Sequence, residues 1–283
     1  MNRLTLRNVT TEAKLLLIGI PVLLWTILPI YHMLLFALSS KDAAFSGELW
    51  PEHPTLNNFY VVLNEKHYYL SHFWRQLANS VVIAAATGVL TLLVSTAAAF
   101  AISRLKVGGG KAVMNLALLT YFIPAAFLAV PMYRVMSIYH LLNSQWALIF
   151  AMITLASPYA IWVLKQASDK LPYELDEAAF MDGASPLQLF RLVYLPLMAP
   201  SLVAVGIYAL LLAWNEYLYA FLLLSGDTTV TLAVGLGNFL AADDSPWELL
   251  MTTGLIYALP PAAIYYIFKR YMVSGLTAGA VKS

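Results

Sequence analysis

Six apolar runs, at residues 15–38, 81–102, 112–133, 141–164, 201–224 and 249–268, dominate this chain. Each is long enough to cross a hydrocarbon core of roughly 30 Å as a helix. The runs are continuous in Leu, Ala, Val and Ile and lack the period-two alternation of an outer-membrane barrel. With 61% hydrophobic and 11% charged residues over 283 positions and a mean hydropathy of +0.73, the composition lies outside the range of a soluble domain of this length. The expected fold is therefore an all-α integral membrane protein with six transmembrane helices.

Lys and Arg are retained on the cytoplasmic side of spanning helices. An internal N-terminus places Arg3, Arg7, Lys14, Arg104, Lys106, Lys111, Lys165, Lys170, Arg191, Lys269, Arg270 and Lys282 inside, and leaves Lys41, Lys66, Arg75 and Arg134 outside. That split, 12 against 4, predicts that both termini are cytoplasmic. Residues 1–14 are polar, and the apolar run after them, with Pro21 and Pro29 inside, is too long for the core of a cleaved signal peptide; it reads as a retained first span. Cysteine is absent, which removes a disulfide framework and thiolate metal sites, and the net charge of +1 gives no lead to a nucleic-acid partner.

Outside, the 39–76 segment joins turn residues (Pro51, Pro54, Asn57, Asn58) to a patch of aromatics (Phe59, Tyr60, Tyr68, Tyr69, Phe73, Trp74), as a folded interfacial loop would. The 225–248 segment, rich in Gly and acid and without Lys or Arg, reads as a solvated connection or a docking loop for an external partner. No internal repeat stands out, so residues 1–283 are taken as one membrane domain, with a helical core at about 77–272 and a tail at 273–283.

Between the fourth and fifth spans, the polar stretch 165–196 can be read residue by residue. Pro172 suits a first helical position, and Glu174, Asp176 and Glu177 place negative charge near the positive end of a helix dipole, so a short helix is expected from about Leu171. Leu175, Ala178 and Ala179 would lie close together on it, small enough to let a partner approach. Gly183 fits a left-handed termination. Ser185 as N-cap and Pro186 at the first position then start a second helix ending near Pro196.

This stretch resembles the EAA loop of permease subunits in bacterial binding-protein-dependent ABC importers, whose pattern is Glu-Ala-Ala, three residues, Gly, nine residues, Ile, one residue, Leu-Pro. Glu177, Ala178, Ala179, Gly183, Leu195 and Pro196 match at that spacing, and Val193 replaces the usual Ile. Asn79-Ser80, Trp214-Asn215-Glu216 and the ending from Ser274 to Lys282 resemble the maltose-type sugar branch; Ser283 departs from the Gly common there. The resemblance implies a multi-pass subunit of the bacterial cytoplasmic membrane that works with a second permease chain, two nucleotide-binding ATPase subunits and an external solute-binding protein. It implies that Glu177 pairs with a basic group of the ATPase, that Ala178 and Ala179 seat the helix, and that Gly183 sets its angle. Gly275, Leu276, Thr277, Gly279 and Lys282 would reach the ATPases from the tail. The chain itself would bind no cofactor, ATP and magnesium being used by the partner.

The residues agree that this chain is not the ATPase. A phosphate-binding loop needs Gly, four residues, Gly-Lys and Ser or Thr; around Gly108-Gly109-Gly110-Lys111 the flanking positions are Leu105 and Ala112. No metal site is expected either, because the five His are scattered and His67 and His72 lack a shared helix face.

Within the fifth span, a carboxylate costs roughly 3 kcal/mol at bilayer depth, so Glu216 should face the bundle. At 100° per residue, Tyr208, Asn215 and Tyr219 fall on one face with Glu216 nearby, a stripe suited to a polyhydroxylated ligand. The same residues would equally serve to tie helices together. Pro124 and Pro131 fall on one face of the third span, and Ser157-Pro158 is expected to interrupt the fourth. The competing functions are an ion-coupled secondary transporter using Glu216, or an importer permease for a solute other than sugar.

Overall fold

The computed structural model describes residues 3–41, 43, 45–240 and 245–277, with side chains described between 16 and 269 within those stretches. Among the described residues the secondary structure is entirely helical: α1 Arg3–Leu38, α2 Asn57–Leu63, α3 Phe73–Ser103, α4 Gly110–Leu119, α5 Ala125–Ile138, α6 Gln145–Ser168, α7 Glu174–Met181, α8 Pro186–Gln188, α9 Leu195–Trp214, α10 Leu218–Leu223, α11 Leu232–Phe239 and α12 Trp247–Thr277. Among the described residues, five helical stretches are long and apolar enough to cross a membrane: Leu16–Leu38, Tyr68–Ser103, Gln145–Ser168, Pro186–Trp214 and Trp247–Lys269. A sixth follows if the bent pair Gly110–Phe122 and Ala125–Ile138 counts as one span.

The chain divides into two units, Met1–Phe73 with Leu236–Leu259, and Trp74–Gly235 with Pro260–Ser283. In the first, the loop after α1 is folded, as its turn and aromatic residues predict. Asn58, almost fully buried, donates from Nδ2 to the carbonyls of Ala37 (3.0 Å) and Ser39 (2.8 Å), satisfying acceptors left open where α1 ends. Phe239 of α11 lies against His67 and Tyr69, with ring centroids 6.4 and 5.1 Å apart. The 225–248 segment is thus more than a solvated connection, since it contains α11 and the buried residues Leu232, Val234 and Phe239.

In the second unit, α6 packs along α9. The buried positions of α6 mix large residues, Leu148, Ile149, Met152 and Leu164, with small ones: Ala147, Ala151, Ala156 and Ala160 are all fully buried, in pairs four residues apart. In a lipid-exposed bundle such positions let backbones approach and gain dispersion contacts that lipid alone does not give. α3 crosses α9 just as closely. A Cβ added at Gly206 would lie 2.8 Å from Leu92 Cδ1, and one at Gly88 would lie 3.4 Å from the Gly206 carbonyl. Toward one end of the bundle, Ala99, Phe100, Ala160, Leu164, Leu189, Tyr194, Met198 and Val205 form a buried cluster.

Five expectations about the helices need correction. The third span is not straight: a 3-10 turn at Thr120–Phe122 and an extended Ile123 separate α4 from α5, whose axes differ by 109°. Pro124 disfavours helical backbone at the residue before it and has no N–H to donate, so the chain turns there. Pro158, by contrast, sits inside an unbroken α6. The fifth span is broken instead, α9 ending at Trp214 and α10 restarting at Leu218. Finally, α7 begins at Glu174, not Leu171, and the helix opened by Ser185 does not stop at Pro196. It runs through a π-helical turn, Leu189–Tyr194, directly into α9. Pro196 crowds the carbonyl four residues before it, and a widened turn at that point relieves the crowding.

Candidate functional site

Two places gather the residues singled out by sequence. The first is the loop carrying α7. Its termination follows from Gly183, whose φ of +81° carries the chain out of the helix. The Gly183 N–H donates to the Phe180 carbonyl (3.0 Å) and the Ala184 N–H to the Ala179 carbonyl (2.9 Å), the paired bonds of a Schellman ending. Ser185 then caps the next helix reciprocally: its hydroxyl accepts from the Gln188 N–H (3.3 Å), and its own N–H donates to Gln188 Oε1 (2.8 Å).

What fixes α7 to the bundle is a residue that no sequence pattern singles out. Arg104, one position past α3, has only 2% of its side chain exposed. Its Nη1 donates to Asp176 Oδ2 at 3.0 Å, and its Nη2 to the carbonyls of Ser168 (2.9 Å) and Leu171 (3.0 Å). The guanidinium lies 4.8 Å over the Tyr173 ring, and the Tyr173 hydroxyl donates back to the Ser103 carbonyl (3.2 Å). Ser103 and Ser168 hydroxyls meet at 2.6 Å. At the level of composition Arg104 is another span-flanking cation; only the fold shows it clamping the end of α3 to the start of α7.

The clamp sorts the small-residue face. Asp176 points inward to Arg104, and Ala179 packs against the buried cluster together with Leu195, Phe190 and Val193. Ala179 therefore does not share an open face with Ala178. Glu177 and Ala178 remain exposed, as do Gly183 and Pro196. Met181 at 88% exposure, Leu192 at 72% and Leu187 at 58% are uncovered on the same loop, as are the carboxylates of Glu174 and Asp182. The backbone of Gly275, Leu276 and Thr277 completes α12, while their side chains, and all of Gly279 and Lys282, lie outside the described residues.

The second place is the break in the fifth span. Asn215 caps α9, its Nδ2 donating to the Leu211 carbonyl (2.9 Å), and Glu216 Oε1 accepts the N–H of Tyr219 (2.8 Å). Side chains that bond nearby backbone groups compete with the helix, and here they end it. The 100° rotation assumed for the stripe fails beyond Trp214. Tyr219 turns fully inward, its hydroxyl donating to the Ala125 carbonyl (2.7 Å) at the start of α5, so the breaks of the third and fifth spans are joined. Tyr208, Asn215 and Glu216 still share a groove of about 460 Å³ with Ala204, Ile207, Leu211 and Leu212.

Tyr208 also has neighbours that one-helix periodicity does not reveal. Its hydroxyl lies 3.3 Å from that of Tyr121, which donates to the Leu155 carbonyl (2.6 Å), and its ring centroid is 4.8 Å from that of Tyr159, itself 6.1 Å from Trp162. Tyr121, Tyr159 and Trp162 are each more than a third exposed, an open aromatic patch that carries hydroxyls. Asn79 and Ser80, by contrast, are buried and spent on structure. Asn79 Nδ2 donates to the carbonyls of Thr228 (2.9 Å) and Val230 (3.0 Å), and Ser80 Oγ accepts from the Leu232 N–H (2.9 Å). No group of three or more acidic, His or Cys side chains suited to a metal occurs among the described residues.

Comparison with known proteins agrees with this architecture. The chain is 31% identical over 262 residues to the inner membrane ABC transporter permease protein YcjP of Escherichia coli (strain K12), covering 92% of each. It is 30% identical over 280 residues to the trehalose/maltose transport system permease protein MalG of Thermococcus litoralis, covering 98% of this chain and 99% of that one. The crystal structure of a bacterial ABC transporter involved in the import of the acidic polysaccharide alginate superposes with a TM-score of 0.78 at 22% identity, covering 93% of this chain and 96% of that chain. The model of the family described as binding-protein-dependent transport system inner membrane component matches residues 92–277, and the chain belongs to that family of multi-pass membrane permeases.

Proposed function

We propose that this chain forms half of the translocation pathway of an ATP-driven importer for a carbohydrate or carbohydrate-like solute, and that the α7 loop receives the stroke of a separate ATPase subunit. The observation that carries the proposal is the contrast across α7. One side is locked to the bundle through Arg104, Asp176 and Ala179, while Glu177, Ala178 and Met181 are open on the other. Exposed carboxylates and uncovered apolar side chains on one loop suit a partner that brings cations and an apolar cleft. ATP and magnesium are used by that partner; two such subunits, a second permease chain of different sequence and an external solute-binding protein complete the machine. The α7 loop and both termini face the cytoplasm, in keeping with the Lys and Arg asymmetry, and the tail from Gly275 to Lys282 extends toward the ATPases.

Carbohydrate as cargo rests on the trehalose/maltose permease relative and on the patch of Tyr121, Tyr159, Trp162 and Tyr208, whose rings and hydroxyls suit the faces and edges of a sugar. Glu216 is the weaker candidate for an ion site, because its carboxylate already accepts the N–H of Tyr219. The test is Glu177→Lys in the assembled transporter. Reversing this charge should weaken ATPase attachment by about 2 kcal/mol or more and abolish ATP-dependent uptake, with the chain still present in the membrane. Wild-type uptake by that variant, or uptake that follows an ion gradient without ATP, would remove the proposal.

A further inference from the structure

We infer that the cleft between the end of α3, the start of α4 and the end of α6 is a binding site for the headgroup of an anionic phospholipid. The cleft holds about 650 Å³ and is lined by Ser103, Lys106, Gly109, Lys111, Lys165 and Tyr173, with one carboxylate, Asp169. Lys165 is ion-paired with Asp169, and Lys106 Nζ sits 4.8 Å over the Tyr173 ring. Lys111 has no ion pair among the described residues. Three cations against one carboxylate leave the cleft positive, and the positive end of α4 opens onto the same space through Gly109, Lys111 and Ala112.

Position selects a lipid over a soluble anion. Two spans end and a third begins at this point, so the lysines stand where a bilayer's headgroups begin. Directly beyond them α4 exposes Val113 (66%) and Leu116 (64%), an apolar strip three residues apart that suits an acyl chain below a bound phosphate. The ligand would therefore bridge a basic pocket and an apolar helix face, the chemistry of an anionic lipid and not of inorganic phosphate. Asp169 and Tyr173 lie at the root of the α7 loop, so an occupied cleft would stiffen the segment that Arg104 holds. The proposed orientation decides only which leaflet supplies the lipid.

The chain has no cysteine, so Ala112→Cys places a single label site in the cleft while keeping every lysine. The full transporter carrying it would be placed in vesicles of phosphatidylcholine alone, or of equal parts phosphatidylcholine and phosphatidylglycerol, and its maleimide reaction rate followed. Phosphatidylglycerol should slow labelling, and adding Lys106→Gln with Lys111→Gln should weaken that protection roughly twenty-five-fold, about five-fold per lysine. Lys170→Gln, two residues past the end of α6 and outside the cleft, should leave it intact. Three results would overturn the inference: equal labelling in both vesicles, protection reproduced by inorganic phosphate, or a site already blocked in phosphatidylcholine because a partner subunit covers it. Transport by Glu177→Lys bears on none of these outcomes, so the two readings fail separately.

Discussion

The α7 loop and the break at Asn215 to Tyr217 both interrupt helices, yet they are held in opposite ways. The loop is held by side chains from distant segments: Arg104 reaches across to Asp176, Ser168 and Leu171, a sequence separation of more than sixty residues. The break is made mainly by its own residues bonding backbone three or four positions away. A local interruption needs no partner to form, whereas the loop depends on one buried cation. The difference predicts where each is fragile.

Arg104→Ala should be the largest loss. It leaves Asp176, with 14% of its side chain exposed, without its counter-charge, at a cost of about 3–5 kcal/mol. Thermal unfolding of the detergent-solubilised chain would show it, and Arg104→Ala with Asp176→Ala should recover part of the loss; no recovery would mean that the carbonyl bonds, not the ion pair, hold the loop. Gly183→Ala comes next. An added Cβ there meets nothing within 4 Å, so the cost is the left-handed backbone alone, about 1–2 kcal/mol. A neutral result would show that the turn relaxes freely. Tyr219→Phe should be smallest, about 1 kcal/mol for one hydrogen bond to Ala125. If it matched Arg104→Ala, the break too would hang on a distant partner, and the contrast would collapse.

The same contrast explains what could be read from sequence. Six apolar runs correspond to five spanning helices and one bent pair, because length and composition alone decide which segments enter a bilayer. Gly183, Ser185 and Pro186 announced the α7 ending and the next start, because each acts on backbone within a few residues. Pro124 and Pro158 look alike in sequence, yet one marks a 109° bend and the other an intact helix. A proline lowers the cost of a break without forcing one, and the tight packing of α6 along α9 keeps Pro158 in line. The fifth-span break carries neither Pro nor Gly, and its signal was Asn-Glu inside an apolar run, read there as a facing stripe and acting instead as a cap. Arg104 and the aromatic neighbours of Tyr208 were invisible, since their partners lie on other helices.

From Pro186 to Trp214 the chain is one uninterrupted helical stretch of 29 residues, roughly 43 Å at 1.5 Å per residue. No residue within it leaves the helix, and its π-helical turn and prolines, Pro196 and Pro200, all lie between the Ser185 end and the midpoint. Whatever displaces its Ser185 end is delivered, as translation or tilt, to the far end at Asn215, where the Tyr219 hydroxyl links the broken helices and the Tyr208 groove opens. The continuity that sequence patterning does not anticipate puts the end of the α7 loop and the Tyr208 groove at opposite ends of a single helix.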